Sequence, residues 1–219
     1  MSAEEVRFTD KAMSKNNHIS IESPYKASLT REQFLFYEMR ATARLMQNGL
    51  DDAAVADEIC QTNLFQYPTE KSLRRMATLC ISRLRAMGDE DLIRAVAALP
   101  VDESKQICLY AYMKHSRLVR DFMVTVIGDK FRQQDMSFSK ADLNMFFLRL
   151  QEQDNVVAAW SASTVIKIKQ ILMRVLIETD YLDSNRTERL NSVLLCKVLE
   201  NSIRANGDEA VLPAFNCFN

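Results

Sequence analysis

Glycine and proline are scarce in this chain, with four of each in 219 residues, and there is a single tryptophan. So few turn formers cannot supply the many tight turns of a sandwich or barrel, whereas the plentiful Leu, Ala, Met, Arg and Glu suit long helices. A nearly all-α protein is expected. Histidine is almost absent too: His18 and His115 are the only two, and neither belongs to a metal-ligand pair or a nucleophile motif. The five cysteines, at positions 60, 80, 108, 196 and 217, are odd in number and contain no Cys-x-x-Cys pair. This pattern fits reduced thiols in a cytoplasmic setting. Cys108 and His115 lie two helical turns apart if one helix spans them, roughly 10.5 Å along the axis and too far for direct activation of a thiol. The N-terminal MSAEEVRFTDK has no apolar core for a signal peptide, and no uncharged apolar run approaches the roughly 20 residues that cross a bilayer. There is no glycine-rich phosphate loop, no His-Glu-x-x-His and no nucleophile elbow. The expectation is therefore a soluble protein that is no enzyme, with no catalytic residue, no metal and no cofactor.

What the chain does have is apolar material for a core, at 47% of residues, and a near balance of charge, 28 Lys and Arg against 29 Asp and Glu. A formal charge of -1 excludes a grossly basic nucleic-acid binder but not a locally basic face. The helical periods run as follows. Residues 1–24 form a polar arm closed by Ser23-Pro24. Thr30-Arg-Glu-Gln33 has the spacing of a capping box and predicts a helix to about Asn48, with Gly49 as its stop. Asp51 caps a short helix through Cys60, and the apolar connector TNLFQYP must pack down. Thr69 caps a helix to about Met87, ended by Gly88. A helix from Glu90 to Leu99 is cut by Pro100, and further helices span 104–114, 116–132, 139–151 and 154–159, the 139–151 helix opened by Ser139-Lys-Ala-Asp142. The organisation expected is two small helical bundles, 25–100 and 101–207, with residues 208–219 as a tail.

The helix predicted over Trp160 to Leu182 is expected to be the central helix around which the rest of the chain is built, buried in the C-terminal bundle. Val165, Ile168, Ile171, Leu172 and Val175 recur at helical spacing while Ile166, Met173 and Ile177 fill a second side. Its polar stripe is Ser163, Lys167, Gln170, Arg174 and Glu178, and Lys169 is expected to snorkel past apolar neighbours. Beyond it, SNRTERLNSVLL reads as a polar hairpin arm and a strand Val193 to Leu195, or as a further helix.

Two basic features carry the functional reading. Lys71, Arg74, Arg75 and Arg85 lie opposite the apolar face of the helix from Thr69, a stripe roughly 21 Å long that can meet phosphates of a duplex or can simply be a solvated face. No acid within that helix after its first residues balances them. The order helix, short helix, longer helix over 139–179 is that of a helix-turn-helix, with Arg186 and Arg189 on a polar arm resembling a wing, and Lys167 and Arg174 on the outward stripe as donors to phosphates and base edges. Three helices also pack this way for reasons unrelated to DNA.

The blocks Tyr25-Lys-Ala-Ser-Leu29, Asn63-Leu-Phe-Gln-Tyr67 with Thr69-Glu-Lys-Ser72, Gln106 to Lys114 as QICLYAYMK, and Trp160-Ser-Ala-Ser-Thr164 resemble the BrxA family of BREX phage-defence systems. The likeness covers roughly Tyr25 to Leu195. It implies a small, all-helical cytoplasmic protein of phage resistance, encoded beside a methyltransferase, an ATPase and a phosphatase-like partner, with a fold related to the RNA-binding antitermination protein NusB and an ability to bind DNA. It implies no enzymatic activity and supplies no contact residues. The expected function is a non-enzymatic component binding double-stranded DNA. Its alternatives are an assembly adaptor docking other BREX proteins through the surface around Phe65 and Tyr67, and an RNA-binding NusB-like protein.

Overall fold

Every regular element in residues 23–218, which the computed structural model of the chain describes, is helical. Most of the expected arm, and His18 with it, lies outside these residues. The chain enters through a 3₁₀ turn, Ala27–Arg31, and continues into α1 (Phe36–Met46), α2 (Asp52–Thr62), α3 (Glu70–Ala86) and α4 (Glu90–Ala98). Three boundaries follow local chemistry as read from the sequence: Asp51 accepts from the Ala54 amide, Thr69 accepts from the Ser72 amide, and Gly88 turns the chain with φ +67 after α3. The first helix does not. Thr30 Oγ1 donates to the Ala27 carbonyl and closes the 3₁₀ turn, and α1 starts only after Leu35, held at φ 60. The reason is tertiary: the guanidinium of Arg83 on α3 takes up the carbonyls of Gln33 and Phe34 at 2.7 and 3.0 Å. Those acceptors would otherwise serve amides four residues on, so hydrogen bonds across the fold override the capping box.

The second half comprises α5 (Val101–His115), α6 (Arg117–Phe122), a π-wound segment Met123–Gly128, α7 (Asp129–Arg132), α8 (Lys140–Gln153), α9 (Asn155–Ala158), α10 (Ala162–Glu178) and α11 (Lys197–Ala205). The 116–132 helix is thus realised with its middle underwound into a wider π turn. Gly128 explains one close approach there: a Cβ would sit 3.0 Å from Pro213 Cβ and 3.1 Å from the Ala214 nitrogen. The residues after Gly207, expected as a tail, form a 3₁₀ element, Glu209–Phe215, whose Val211, Leu212, Ala214 and Phe215 are buried against the π-wound segment. Their apolar side chains are too short a run to show a period, so burial was invisible in the pattern. Val193 to Leu195 belong to no strand and no helix; the main chain runs there without a partner strand and enters α11 after Cys196.

The centre of the molecule is α5 rather than α10. Seven consecutive residues, Ile107 to Met113, are all buried in α5, which packs against α3 and α4 on the one hand and α6 on the other. A helix sealed on every face shows no amphipathic period, which is why it did not stand out in the sequence. The 160–182 helix is realised over Ala162–Glu178 with Ser161 as its cap, and Val165, Ile168, Ile171, Leu172, Val175 and Leu176 are buried. Its expected second apolar side is not sealed: Ile166 is 56% exposed, and Met173 and Ile177 are half-buried.

Candidate nucleic-acid interface

On α3 the apolar face, Leu73, Met76, Ala77, Cys80, Ile81 and Leu84, is buried, and Lys71, Arg74, Arg75 and Arg85 are exposed opposite it. Two of these four are not free charges. Arg74 donates to Asp57 on α2 at 2.9 Å, and Arg85 donates to Asp52 at the start of α2 and to Glu90 at the start of α4. Within α3 only Glu70 at its start comes near the stripe, 3.8 Å from Arg74; the rest of the balance comes from the neighbours, because α2 packs along α3 and brings its acids to the same edge. Lys71 and Arg75 have no carboxylate within 4 Å among the described residues. A fifth basic residue of α3, Arg83, faces inward: it is fully buried, its guanidinium carbon 3.7 Å from the centre of the Tyr112 ring. The spacing of Arg83 with Cys80, Ala77 and Met76 on the apolar side was the available signal for this.

The α8 to α10 region presents its cations differently. Ser139 and Asp142 form the expected capping box at the start of α8, the Asp142 carboxylate accepting from the Ser139 amide at 2.7 Å. Asp154 caps the one-turn α9, and Ser161 caps α10, so the two turns between helices are fixed by side-chain bonds to backbone. On α10 Ser163, Lys167, Gln170 and Arg174 are exposed on one stripe, and Glu178 at its end is half-buried. Lys169 runs across the Phe147 ring, 5.3 Å from its centre, to donate to Asn144 Oδ1 at 2.8 Å, with the stem over apolar surface as expected of a snorkelling side chain. Desolvation there lowers its pKa from the ordinary lysine value.

Between α8 and α10 runs an open groove of about 830 Å³. Lys140, Asn144, Lys169, Gln170, Arg174 and Asn185 contribute polar groups to it together with one carboxylate, Glu178, and Leu143, Ile166, Met173 and Ile177 its apolar floor. Lys140, Asn144 and Asn185 had no mark in the sequence, since only the packing of α8 beside α10 brings them to the stripe. The polar arm after α10 is anchored at one rung: the Phe138 amide donates to the Glu188 carbonyl at 2.9 Å and the Leu190 amide to Met136 at 2.7 Å, with Ser137 opposite Arg189. Arg186 and Arg189 are both exposed on this arm. Neither they nor Lys167 and Arg174 have a carboxylate within 4 Å among the described residues.

The remaining chemistry-bearing groups are spread through the fold. All five cysteines are unpaired, and burial pushes the Cys80 thiol up to about 12 and raises those of Cys108 and Cys196. Among the described residues no group of three or more His, Cys, Asp or Glu converges, and no helix is long and apolar enough to cross a membrane. Phe65 and Tyr67 of the apolar connector are half-buried, edge to face at 6.3 Å, with the Tyr67 hydroxyl donating to Glu38.

A family model described as BrxA matches residues 23–207. A BREX protein BrxA of Bacillus cereus (strain H3081.97) is 34% identical over 188 residues, covering 85% of this chain and 94% of that protein. A BREX protein BrxA of Paramagnetospirillum magneticum is 26% identical over 191 residues, covering 87% of this chain and 96% of that protein. The crystal structure of an uncharacterized protein from Magnetospirillum magneticum superposes with a TM-score of 0.73 at 25% identity, over 88% of this chain and 98% of that one. With the family match spanning all of the helices from the first 3₁₀ turn to α11, the chain belongs to the BrxA family.

Proposed function

We propose that this protein is a non-enzymatic, DNA-binding component of a BREX phage-defence system, holding duplex DNA chiefly with α10 and the 183–190 arm. The observation that carries this reading is the exposed stripe of α10: Lys167 and Arg174 stand two turns apart with no acid within 4 Å among the described residues. Cations left unpaired can exchange condensed counterions for phosphates, whereas those already bonded to carboxylates must first break that bond. The arrangement of α8, α9, α10 and the arm pinned to residues 136–138 supports a helix-turn-helix with a short wing, in which α10 enters the major groove and Arg186 and Arg189 meet the backbone. Lys71 and Arg75 on α3 add phosphate contacts, with Arg74 and Arg85 contributing less. Other BREX proteins are its partners in the assembly, as membership of the family suggests.

The test is binding of labelled duplex DNA by Lys167→Glu, Arg174→Glu, measured by gel shift or anisotropy at several salt concentrations. Loss of binding with helical content unchanged is expected, and the parent's affinity should fall steeply as salt rises. Binding equal to the parent's would remove α10 from the interface. A duplex RNA competitor included in the same experiment distinguishes the RNA-binding alternative, since A-form RNA closes its major groove to a helix.

A further inference from the structure

A second basic site, sharing no lining residue with the α10 groove, lies where the entry strap of the chain, whose 3₁₀ turn packs against α10, crosses the junction of α5 and α6. A pocket of about 500 Å³ opens there, walled by Lys26 on the strap and by Lys114, His115, Arg117 and Arg120 on the helices, with Glu32 as the one carboxylate in its lining. Two of the four sequence blocks that carry the family resemblance, Tyr25 to Leu29 and Gln106 to Lys114, meet at this point, and DNA binding by α10 makes no use of either.

The walls are held in place before any ligand arrives. Tyr25 donates its hydroxyl to Asp121 at 2.8 Å, and Arg117 donates to the same oxygen. Leu29 is buried, and the Tyr112 hydroxyl bonds the Glu32 carbonyl, so the strap is tied to α5 and α6 on both sides of the pocket. Arg117 is paired with Asp121 through its Nε at 2.8 Å and serves the pocket as a donor more than as a free charge, but the other three cations are not matched one for one. Lys114 and Arg120 share a single carboxylate, that of buried Asp208, at 3.0 and 2.9 Å, and Lys26 has no acid within 4 Å among the described residues. One cation is therefore left over at Asp208 and another at Lys26. Arg83 lies behind Glu32, its terminal nitrogen 3.9 Å from the carboxylate and without a hydrogen-bond partner. The Glu32 charge is thus drawn inward toward a cation and offsets the pocket less than its position suggests.

We infer that this pocket binds a phosphoryl group, held by Lys26, Lys114, Arg117 and Arg120. A tetrahedral dianion matches convergent lysine and arginine donors on separate elements, whereas a neutral or cationic ligand gains nothing from them. Its source is either a small phosphate compound or the phosphorylated end of a nucleic-acid strand. His115 lines the same pocket and reports on occupancy. Desolvation, with the charges of Arg83 and Lys26, holds its pKa below the ordinary value, and an anion beside it acts in the opposite direction.

The test follows the imidazole signals of the full chain by NMR at physiological ionic strength while inorganic phosphate is titrated, with acetate as a control. Saturable movement of the His115 signal by phosphate and not by acetate is expected, about tenfold weaker in Lys26→Glu and in Ser28→Asp, which both place an acid at the exposed strap. Adenosine monophosphate and short duplexes with and without 5′-phosphates then identify the source, since the preferred one saturates at the lowest concentration. Movement that never saturates, that acetate reproduces, or that both variants retain unchanged overturns the assignment. Because no step depends on α10, failure here leaves the DNA-binding reading standing, and failure of Lys167→Glu, Arg174→Glu to affect DNA leaves the pocket standing.

Discussion

Helices α3 and α10 are each 17 residues long, and each carries basic residues opposite a buried apolar face, yet they present different surfaces. On α3 the acids of α2 and α4 reach over to Arg74 and Arg85, so half of a stripe that looks uniformly positive in sequence is already paired. On α10 no neighbouring helix brings a carboxylate within 4 Å of Lys167 or Arg174 among the described residues; half-buried Glu178 follows Arg174 one turn on without reaching that distance, and α8 adds Lys140 and Asn144 to the groove beside Arg174. The lesson is that the strength of a basic helix face is set by what packs next to it, since a surface pair contributes little to stability yet still competes with phosphate.

The contrast can be broken first at the buried ends of the two helices. Replacing Arg83 by Ala should cost about 3–5 kcal/mol, because it strands the Gln33 and Phe34 carbonyls and leaves Glu32 without its nearest cation. Leu172→Ala, at a site with no exposure on α10, should cost about 2–5 kcal/mol; chemical denaturation reads both, and a neutral result at either would mean the site is not the packed one described.

A smaller effect is expected at Asp208, the acid that joins α5 and α6 through Lys114, Arg120 and the Tyr110 hydroxyl. Desolvation works against its charge, but the three hydrogen bonds outweigh it and lower its pKa below the ordinary carboxylate value. A carboxylate depressed in the folded state contributes stability above its unfolded pKa, near ~3.9, and that contribution disappears as pH falls through the folded value. Asp208→Asn should therefore be less stable than the parent by about 2 kcal/mol near neutrality, with the gap narrowing below about pH 4. A gap that stays constant with pH would show that Asp208 acts by shape and not by charge. Smallest of all, removing the paired acids Asp57 or Asp52 should change stability by about 1 kcal/mol or less while strengthening DNA binding through α3, as Arg74 or Arg85 is released.

Much of the fold was legible because local signals and global packing agree over most of it. Asp51, Thr69 and Ser139 act as caps where the sequence placed them, and Gly49 and Gly88 turn the chain at positive φ. What escaped were features decided by contacts between distant residues. Thr30 looks like a helix cap until Arg83 claims the carbonyls beyond it, and the run Ile107 to Met113 has no polar face to reveal a period. The candidate interface divides in the same way. Lys167, Arg174, Arg186 and Arg189 are exposed as read, but the pairing of Arg74 and Arg85, and the arrival of Lys140 at the α10 groove, depend on helix neighbours that no spacing encodes.

The central claim is that unpaired cations on α10 outweigh paired ones on α3 in holding DNA. It is tested most directly by comparing two double variants, Lys167→Glu, Arg174→Glu and Arg74→Glu, Arg85→Glu, on one labelled duplex across a salt series, after circular dichroism has shown both to be folded. The α10 variant should lose most of the affinity and about two units of salt slope, while the α3 variant loses less than one. An α10 variant that binds as the parent does, beside an α3 variant that does not, would contradict the account.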